Sequence, residues 1–258
     1  AARRIWATVM RERYGARSDR SLLMRTHVQT AGCSLTEQQP LNNIVRVAYQ
    51  AMAGVLGGCQ SLHTDSMDET LGLPTETAVR VALRTQQILA HETGVHRTVD
   101  PLGGSWFVES LTDQMEADAN AIIADIDDMG GVVDGIHKGY FRRSIAEASY
   151  RFGQEMEAGD RIIVGVNAYR EGNDEQQMDI LQIPHELEAE QCKRIADLKE
   201  ARNEGDAQRS LEAIRESARN EENVMDALVE GSLARCTLGE MVQAMADVFG
   251  RYSGGPEW

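Results

Sequence analysis

One pattern limits what this chain can fold into: a short apolar run, a polar loop and an amphipathic helix, occurring in that order twice and then no more. The first unit opens with Ser21-Leu22-Leu23-Met24-Arg25-Thr26-His27, which reads as a short buried strand. A polar loop carrying Gly32 follows. Pro40 then opens a helix that Gly57-Gly58 closes, with Leu41, Ile44, Val45, Ala48, Met52, Val55 and Leu56 at helical spacing. Cys59-Gln60-Ser61-Leu62-His63 reads as a second strand, and Pro74 leads into a helix over about 75–92. Strand, loop, helix, repeated, is the signature of a parallel sheet in an α/β fold. A (β/α)8 barrel takes about 250 residues, so the 258 residues present would fit one. Two parallel strands, however, can neither bury both faces nor close a barrel, and their edges stay open. Residues 2–14 read as a helix with Ile5, Trp6, Val9 and Met10 on one face, so the chain starts in mid-helix. The expectation is that upstream strands are missing, by truncation or because they lie on another polypeptide.

The second half reads differently. Residues 108–128 form an acidic amphipathic helix ending at Gly130-Gly131, and another helix runs over 140–158. Arg161-Ile162-Ile163-Val164-Gly165-Val166-Asn167 is the one convincing strand there. Helices are expected near 186–203, 206–219, 222–230 and 237–249, and the polar stretch 172–179 is the best candidate for a mobile segment. The expected organisation is therefore residues 1–100 as barrel-type βα units and 101–258 as a mostly helical region with one short strand near 161–166.

Composition narrows the partners. The net charge of −15 argues against nucleic acid and against anionic membranes, both of which need basic patches. No run of eighteen apolar residues and no secretion signal is visible, so a cytoplasmic location is expected. The cysteines Cys33, Cys59, Cys192 and Cys236 show no zinc-type spacing and read as free thiols. Lysine occurs only at Lys138, Lys193 and Lys199. Dense carboxylates with scarce lysine fit a salt-rich cytoplasm; a GC-rich genome that encodes Arg in place of Lys is the plainer explanation.

Two stretches carry chemistry. The first is Arg25 to Thr36, which gathers hydrogen-bonding groups around Gly32 at the C-terminal end of a strand, where barrels place their sites. The second, Gln60 to Pro74, contains His63, Asp65, Asp68 and Glu69. A metal site is disfavoured there, because Asp68 and Glu69 are adjacent and no second His is near. A carboxylate at this place suits a sugar diol, whose two hydroxyls it can accept. The plain alternative is that these acids cap the following segment and face water.

Together the stretches resemble the methylmalonyl-CoA mutase family. The match rests on His27 to Gly32, on Gln38-Gln39-Pro40-Leu41-Asn42-Asn43-Ile44-Val45-Arg46, on Gly57 to Thr64, and on Asp68-Glu69. It continues through Ala82-Leu83-Arg84-Thr85-Gln86-Gln87, Asp100 to Ser105, and Ile162 to Asn167. The resemblance implies the C-terminal part of a (β/α)8 TIM barrel, its last two βα units, followed by a mostly helical extension. It implies an adenosylcobalamin-dependent radical isomerase that interconverts (R)-methylmalonyl-CoA and succinyl-CoA. By it, Glu69 matches the carboxylate that binds the adenosyl ribose. Gln29 and Gly32 match positions beside the adenosyl group and the corrin, and Gly72 matches a further cofactor contact. His27 and Gln60 line the same cavity. No catalytic residue and no metal ligand falls in this chain, because the family's substrate-gripping residues lie upstream.

The chain departs from the family in two ways. Ala31 and Cys33 flank Gly32 where many relatives have Ser and Trp, a pattern also similar to isobutyryl-CoA and 2-hydroxyisobutyryl-CoA mutases. The Asp-x-His-x-x-Gly cobalamin motif is absent; Asp134-Gly135-Ile136-His137-Lys138-Gly139 has the wrong spacing, which leaves His137 as a surface or packing residue. The cobalt ligand is therefore expected from a separate small cobalamin-binding subunit, with acyl-CoA as substrate and the missing N-terminal barrel portion as further partners. A noncatalytic interaction fragment of such a subunit is the alternative of another class.

Overall fold

The computed structural model describes residues 1–170 and 178–252. The chain divides into two compact units, residues 1–181 and 182–258. In the first, α1 (Ala2–Glu12) and the single turn α2 (Asp19–Leu22) precede strand β1 (His27–Gln29). A 3-10 turn (Gly32–Ser34) leads to α3 (Asn42–Leu56), β2 (Ser61–His63) and α4 (Glu76–His91). Then come α5 (Trp106–Asp128), α6 (Val132–His137) and α7 (Tyr140–Ala158). The second unit holds α8 (His185–Ala201), α9 (Glu204–Arg219), α10 (Met225–Leu233) and α11 (Leu238–Phe249). The fold is α/β, mostly helical, with a small parallel sheet.

β1 and β2 pair in parallel with His27 opposite Ser61, Val28 opposite Leu62 and Gln29 opposite His63. The period of two splits the sheet into unlike faces. Val28 and Leu62 turn toward α3, where a Cβ on Gly54 would lie 3.0 Å from Val28 Cγ1 and 3.6 Å from Leu62 Cδ1. Glycine at 54 is what lets the helix backbone come this close. Buried Asn43, Val47 and Ala51 recur every fourth residue on the same helix. The other face presents His27, Gln29, Ser61 and His63, all exposed. α4 is capped by Thr75, whose side chain accepts from Ala78 N, and it buries Ala78, Ala82, Thr85 and Leu89.

The strand expected over 21–27 lies elsewhere: residues 19–22 form a helical turn, and pairing starts at His27. Trp6 Nε1 donates to Ser21 O at 3.0 Å, which ties that turn to α1. A short apolar run fits either state, and here Asp19 in the first turn favours the helix. His27 is thus the first residue of the strand and not its last, and Gln29 is a strand residue, not a loop residue. The strand expected over 161–167 is also absent, with only an isolated bridge between Val164 and Ala168. Gly165 at φ +82° turns the chain back on itself. Asn167 Oδ1 accepts from Ile163 N at 2.7 Å, and its Nδ2 donates to Arg161 O at 2.7 Å. These side-chain bonds occupy groups that a ladder would need. Of the stretch 172–179, residues 172–177 lie outside the described residues.

In the second unit, Ala207, Leu211, Ile214, Cys236 and Ala244 form a core between α9, α11 and the turn before α11. Thr237 and Glu240 make a reciprocal capping box at the start of α11. Arg202, its side chain only 4% exposed, donates to both oxygens of Glu240 at 2.7 and 2.9 Å and to Glu204 at 2.9 Å. That fork holds the Glu240 carboxyl well below the usual carboxylate range and raises the guanidinium. Burial pushes the Cys236 thiol up. Among the described residues no helix is long and apolar enough to cross a membrane.

Candidate functional site

The polar face of the sheet continues past the strand ends into two loops, and the two loops are built around each other. Asp65, 3% exposed, is the junction. Gln29 Nε2 donates to its Oδ1 at 3.0 Å, and Thr30 Oγ1 donates to its Oδ2 at 2.9 Å. Asp65 N donates back to Thr30 Oγ1 at 2.9 Å, and His63 Nε2 lies 3.5 Å from Oδ1. A Cβ on Gly32 would lie 3.7 Å from Asp65 Oδ2 and within 3.6–3.8 Å of Glu69 Cγ and Oε1. Gln29 and Gly32 thus converge with Asp65 and Glu69, from the next strand and its loop, at the C-terminal ends of two parallel strands. Glu69 and Gln29 are exposed there. Gly32 therefore packs its bare Cα beside two carboxylates, at ordinary van der Waals contact for an added methyl group.

α3 holds this arrangement from beneath. Gln50 Oε1 accepts from Ala31 N at 2.5 Å, and its Nε2 donates to Ser34 Oγ at 2.6 Å, which fixes the Gly32 turn. Asn43 is fully buried. It donates to Thr36 O at 2.8 Å and Met67 O at 2.9 Å, and accepts from Thr36 N at 3.1 Å and Arg46 Nη1 at 2.7 Å. One amide therefore ties the loop after β1 to the loop after β2. Asp68, 2% exposed, accepts from Thr75 N at 2.9 Å and Thr75 Oγ1 at 3.0 Å. The capping role considered for the acids belongs to Asp68, while Glu69 alone among them faces water. Asp68 Oδ1 and Ser66 Oγ are buried with no hydrogen-bond partner among the described residues.

The remaining expected site residues sit apart from this cluster. His27 Nδ1 lies 2.7 Å from Ser61 Oγ, lower on the same polar face. Gln60 is at the opposite end of the strands, its Oε1 accepting from Thr26 N at 2.7 Å and its Nε2 donating to Gly58 O at 3.3 Å. Gly72 lies beyond Asp68, where an added Cβ would meet Ile180 Cγ2 at 3.1 Å. His137 is an exposed residue at the end of α6. Asp65 and Asn43 have structural roles that the sequence reading did not assign, and their only signal is a position in or beside the polar loops.

A separate cleft of about 610 Å³ is lined by Cys33, Leu35, Arg46, Phe152, Arg161 and Val164, among others. Arg161 pairs with Glu155 at 2.6 Å and lies 4.7 Å from the Phe152 ring centre. Burial pushes the Arg46 guanidinium down from its ordinary value, and its Nη2 donates to Val164 O at 2.8 Å. None of Gln29, Asp65 or Glu69 lines this cleft.

Comparison with known proteins bears on what such a loop pair is for. The family model described as methylmalonyl-CoA mutase matches residues 1–251. The chain belongs to the methylmalonyl-CoA mutase family. A probable mitochondrial methylmalonyl-CoA mutase of Caenorhabditis elegans is 45% identical over 98% of this chain and 34% of that protein. The methylmalonyl-CoA mutase of Rhizobium meliloti is 44% identical over 100% of this chain and 36% of that protein. The Escherichia coli methylmalonyl-CoA mutase is 42% identical over 98% and 35% respectively. This family member thus spans about a third of the length of the curated relatives it matches.

Proposed function

We propose that this segment forms part of the adenosyl-binding wall of an adenosylcobalamin-dependent mutase that interconverts (R)-methylmalonyl-CoA and succinyl-CoA. The observation that carries the reading is the exposed Glu69 carboxylate beside Gly32, with Gln29 bonded to the neighbouring Asp65. A diol of a ribose fits such a place, since a carboxylate accepts two hydroxyl hydrogens in a selective geometry. The absence of a side chain at Gly32 gives a bulky planar ring system room to approach. Adenosylcobalamin, when bound, supplies a carbon-centred radical able to take a hydrogen atom from the acyl-CoA and return it. The task of these residues is to orient the adenosyl group and to exclude water. Glu69 holds the ribose, Gln29 and Gly32 border the adenosyl group and corrin, and Gly72 adds a cofactor contact; His27 and Gln60 line the cavity below.

In this reading β1 and β2 are the last two strands of a (β/α)8 barrel. Residues 1–100 carry the cofactor-facing loops, and residues 101–258 are the post-barrel region. The open sheet edges and the unpartnered Asp68 Oδ1 and Ser66 Oγ are consistent with further chain lying against this unit. The rest of the barrel supplies the grip on acyl-CoA, and a separate cobalamin-binding subunit in the cytoplasm supplies the cobalt ligand. Ala31 and Cys33 favour a second substrate reading, isobutyryl-CoA or 2-hydroxyisobutyryl-CoA.

The test is to express the complete mutase containing this segment with a cobalamin-binding subunit and assay the three acyl-CoA substrates. Cofactor-dependent isomerisation is expected, and Glu69→Ala should weaken the apparent affinity for adenosylcobalamin about 10- to 100-fold, the worth of charge-assisted hydrogen bonds. No turnover of any substrate would favour a noncatalytic fragment. Unchanged cofactor affinity in Glu69→Ala would remove the ribose assignment.

A further inference from the structure

The Gln29 side chain is exposed and makes one hydrogen bond among the described residues, from Nε2 to the buried Asp65. A carboxylate only accepts, so it selects one of the two orientations of an amide. Its partner must be the nitrogen. The Gln29 oxygen is then turned away from Asp65, and it has no hydrogen-bond partner among the described residues. We infer that Asp65 is a positioning residue: it locks the Gln29 amide so that the site offers an acceptor, not a donor, to the ligand.

This inference deepens the adenosyl-wall reading and rests on it. Glu69 and the Gln29 oxygen are then both acceptors, which matches a ligand edge made of hydroxyl or amino donors. The lock is stiff because Asp65 is itself held. Thr30 Oγ1 donates to its second oxygen, its own N–H donates to Thr30 Oγ1, and Thr30 N donates to His63 O at 3.1 Å. His63 Nε2, at 3.5 Å from the same oxygen that Gln29 uses, flanks the pair. Asp65 Oδ2 also lies beside Gly32, so a shift of this carboxylate would move the turn and the amide together.

The experiment uses the complete mutase and compares two probes, adenosylcobalamin and hydroxocobalamin, which share the corrin and differ in the adenosyl group. Asp65→Asn keeps the shape but replaces one acceptor by a donor, so the amide can turn over. The expected result is about five- to tenfold weaker binding of adenosylcobalamin, unchanged binding of hydroxocobalamin and an unchanged melting temperature of the cofactor-free protein, the loss being that of one ordinary hydrogen bond. Gln29→Leu should show the same selective loss, and adding Asp65→Asn to it should cost nothing more, because the two act as one unit. Gln29→Glu covers the case in which Asp65→Asn fails to fold. It keeps an acceptor for the ligand but cannot donate to Asp65, so the inference requires selective weakening, and full affinity would overturn it. Equal loss for both probes, or an additive loss in the double variant, would also overturn it. Selective loss in Glu69→Ala without selective loss in Asp65→Asn would sink the inference and leave the adenosyl-wall reading standing. No selective loss in any variant, Glu69→Ala included, would sink both.

Discussion

Replacing Asn43 by leucine would leave Thr36 N, Thr36 O and Met67 O without their partner in a fully buried place. Leucine has the same branched skeleton but a larger volume, so the change removes the hydrogen bonds and adds some crowding. Buried polar groups left unpaired cost about 1–3 kcal/mol each where nothing relaxes, and part of this loop can relax toward water. A net loss of about 3 kcal/mol in urea unfolding is expected for Asn43→Leu. A loss under about 1 kcal/mol would mean that the two loops do not depend on this amide. The residue scale is also where sequence reading reached least far. Gln29, Gly32 and Glu69 were named through a family resemblance, and the structure brings them together. Asp65 was seen only as one of several acids and Asn43 only as part of a matching string. Their roles consist of contacts to residues 35 and 24 positions away, and no local pattern encodes such contacts.

Helices were legible where amphipathic spacing and stop signals agreed. α3 between Pro40 and Gly57, and α7 over 140–158, are of this kind. Strands were harder, because β1 and β2 have only three residues each and a period of two is hardly visible at that length. The run Leu22-Leu23-Met24 drew the first strand too early, and the turn around Gly165 was hidden in an apolar stretch. What positions the site is the contact of α3 with the sheet, and that contact depends on Gly54. Gly54→Ala sets a gain in helix propensity of about 1 kcal/mol against a methyl group 3.0 Å from Val28 Cγ1, and the two should nearly cancel. Gly54→Val adds two further carbons against Val28 and Leu62 and loses the propensity gain. It should destabilise the first unit by about 3 kcal/mol, at the upper end for overpacking. Thermal unfolding followed by circular dichroism checks both variants. Equal stability of the valine and alanine forms would show that α3 stands further from the sheet than the 3.0 Å contact implies.

At the scale of the whole molecule, acid should separate the two compact units, because they depend on different groups. The first is joined through Asp65 and Asn43 to its loops, the second through Arg202 and Glu240 to its helix ends. Arg202 holds the folded Glu240 carboxyl far below its ordinary 4.5. A carboxylate depressed on folding adds stability that is complete above the unfolded value and disappears as pH falls toward the folded one. The second unit should therefore keep this contribution in full near neutrality, lose it progressively below about pH 4.5 and approach zero only in strong acid. Arg202→Met removes the cause. Lys199 at 3.2 Å and Thr237 remain beside Glu240, so the loss should be about 2 kcal/mol at pH 7, less than for a pair stripped of every partner. The variant and the parent should then converge as pH drops, since a protonated Glu240 no longer distinguishes them. Calorimetry from pH 7 into strong acid, well below pH 2, reads this directly: the transition of residues 182–258 should shift in Arg202→Met at neutral and mildly acid pH, and hardly at all once the folded Glu240 is protonated. A constant gap across the whole range would mean that Arg202 stabilises α11 by packing its stem, and that the Glu240 charge contributes nothing.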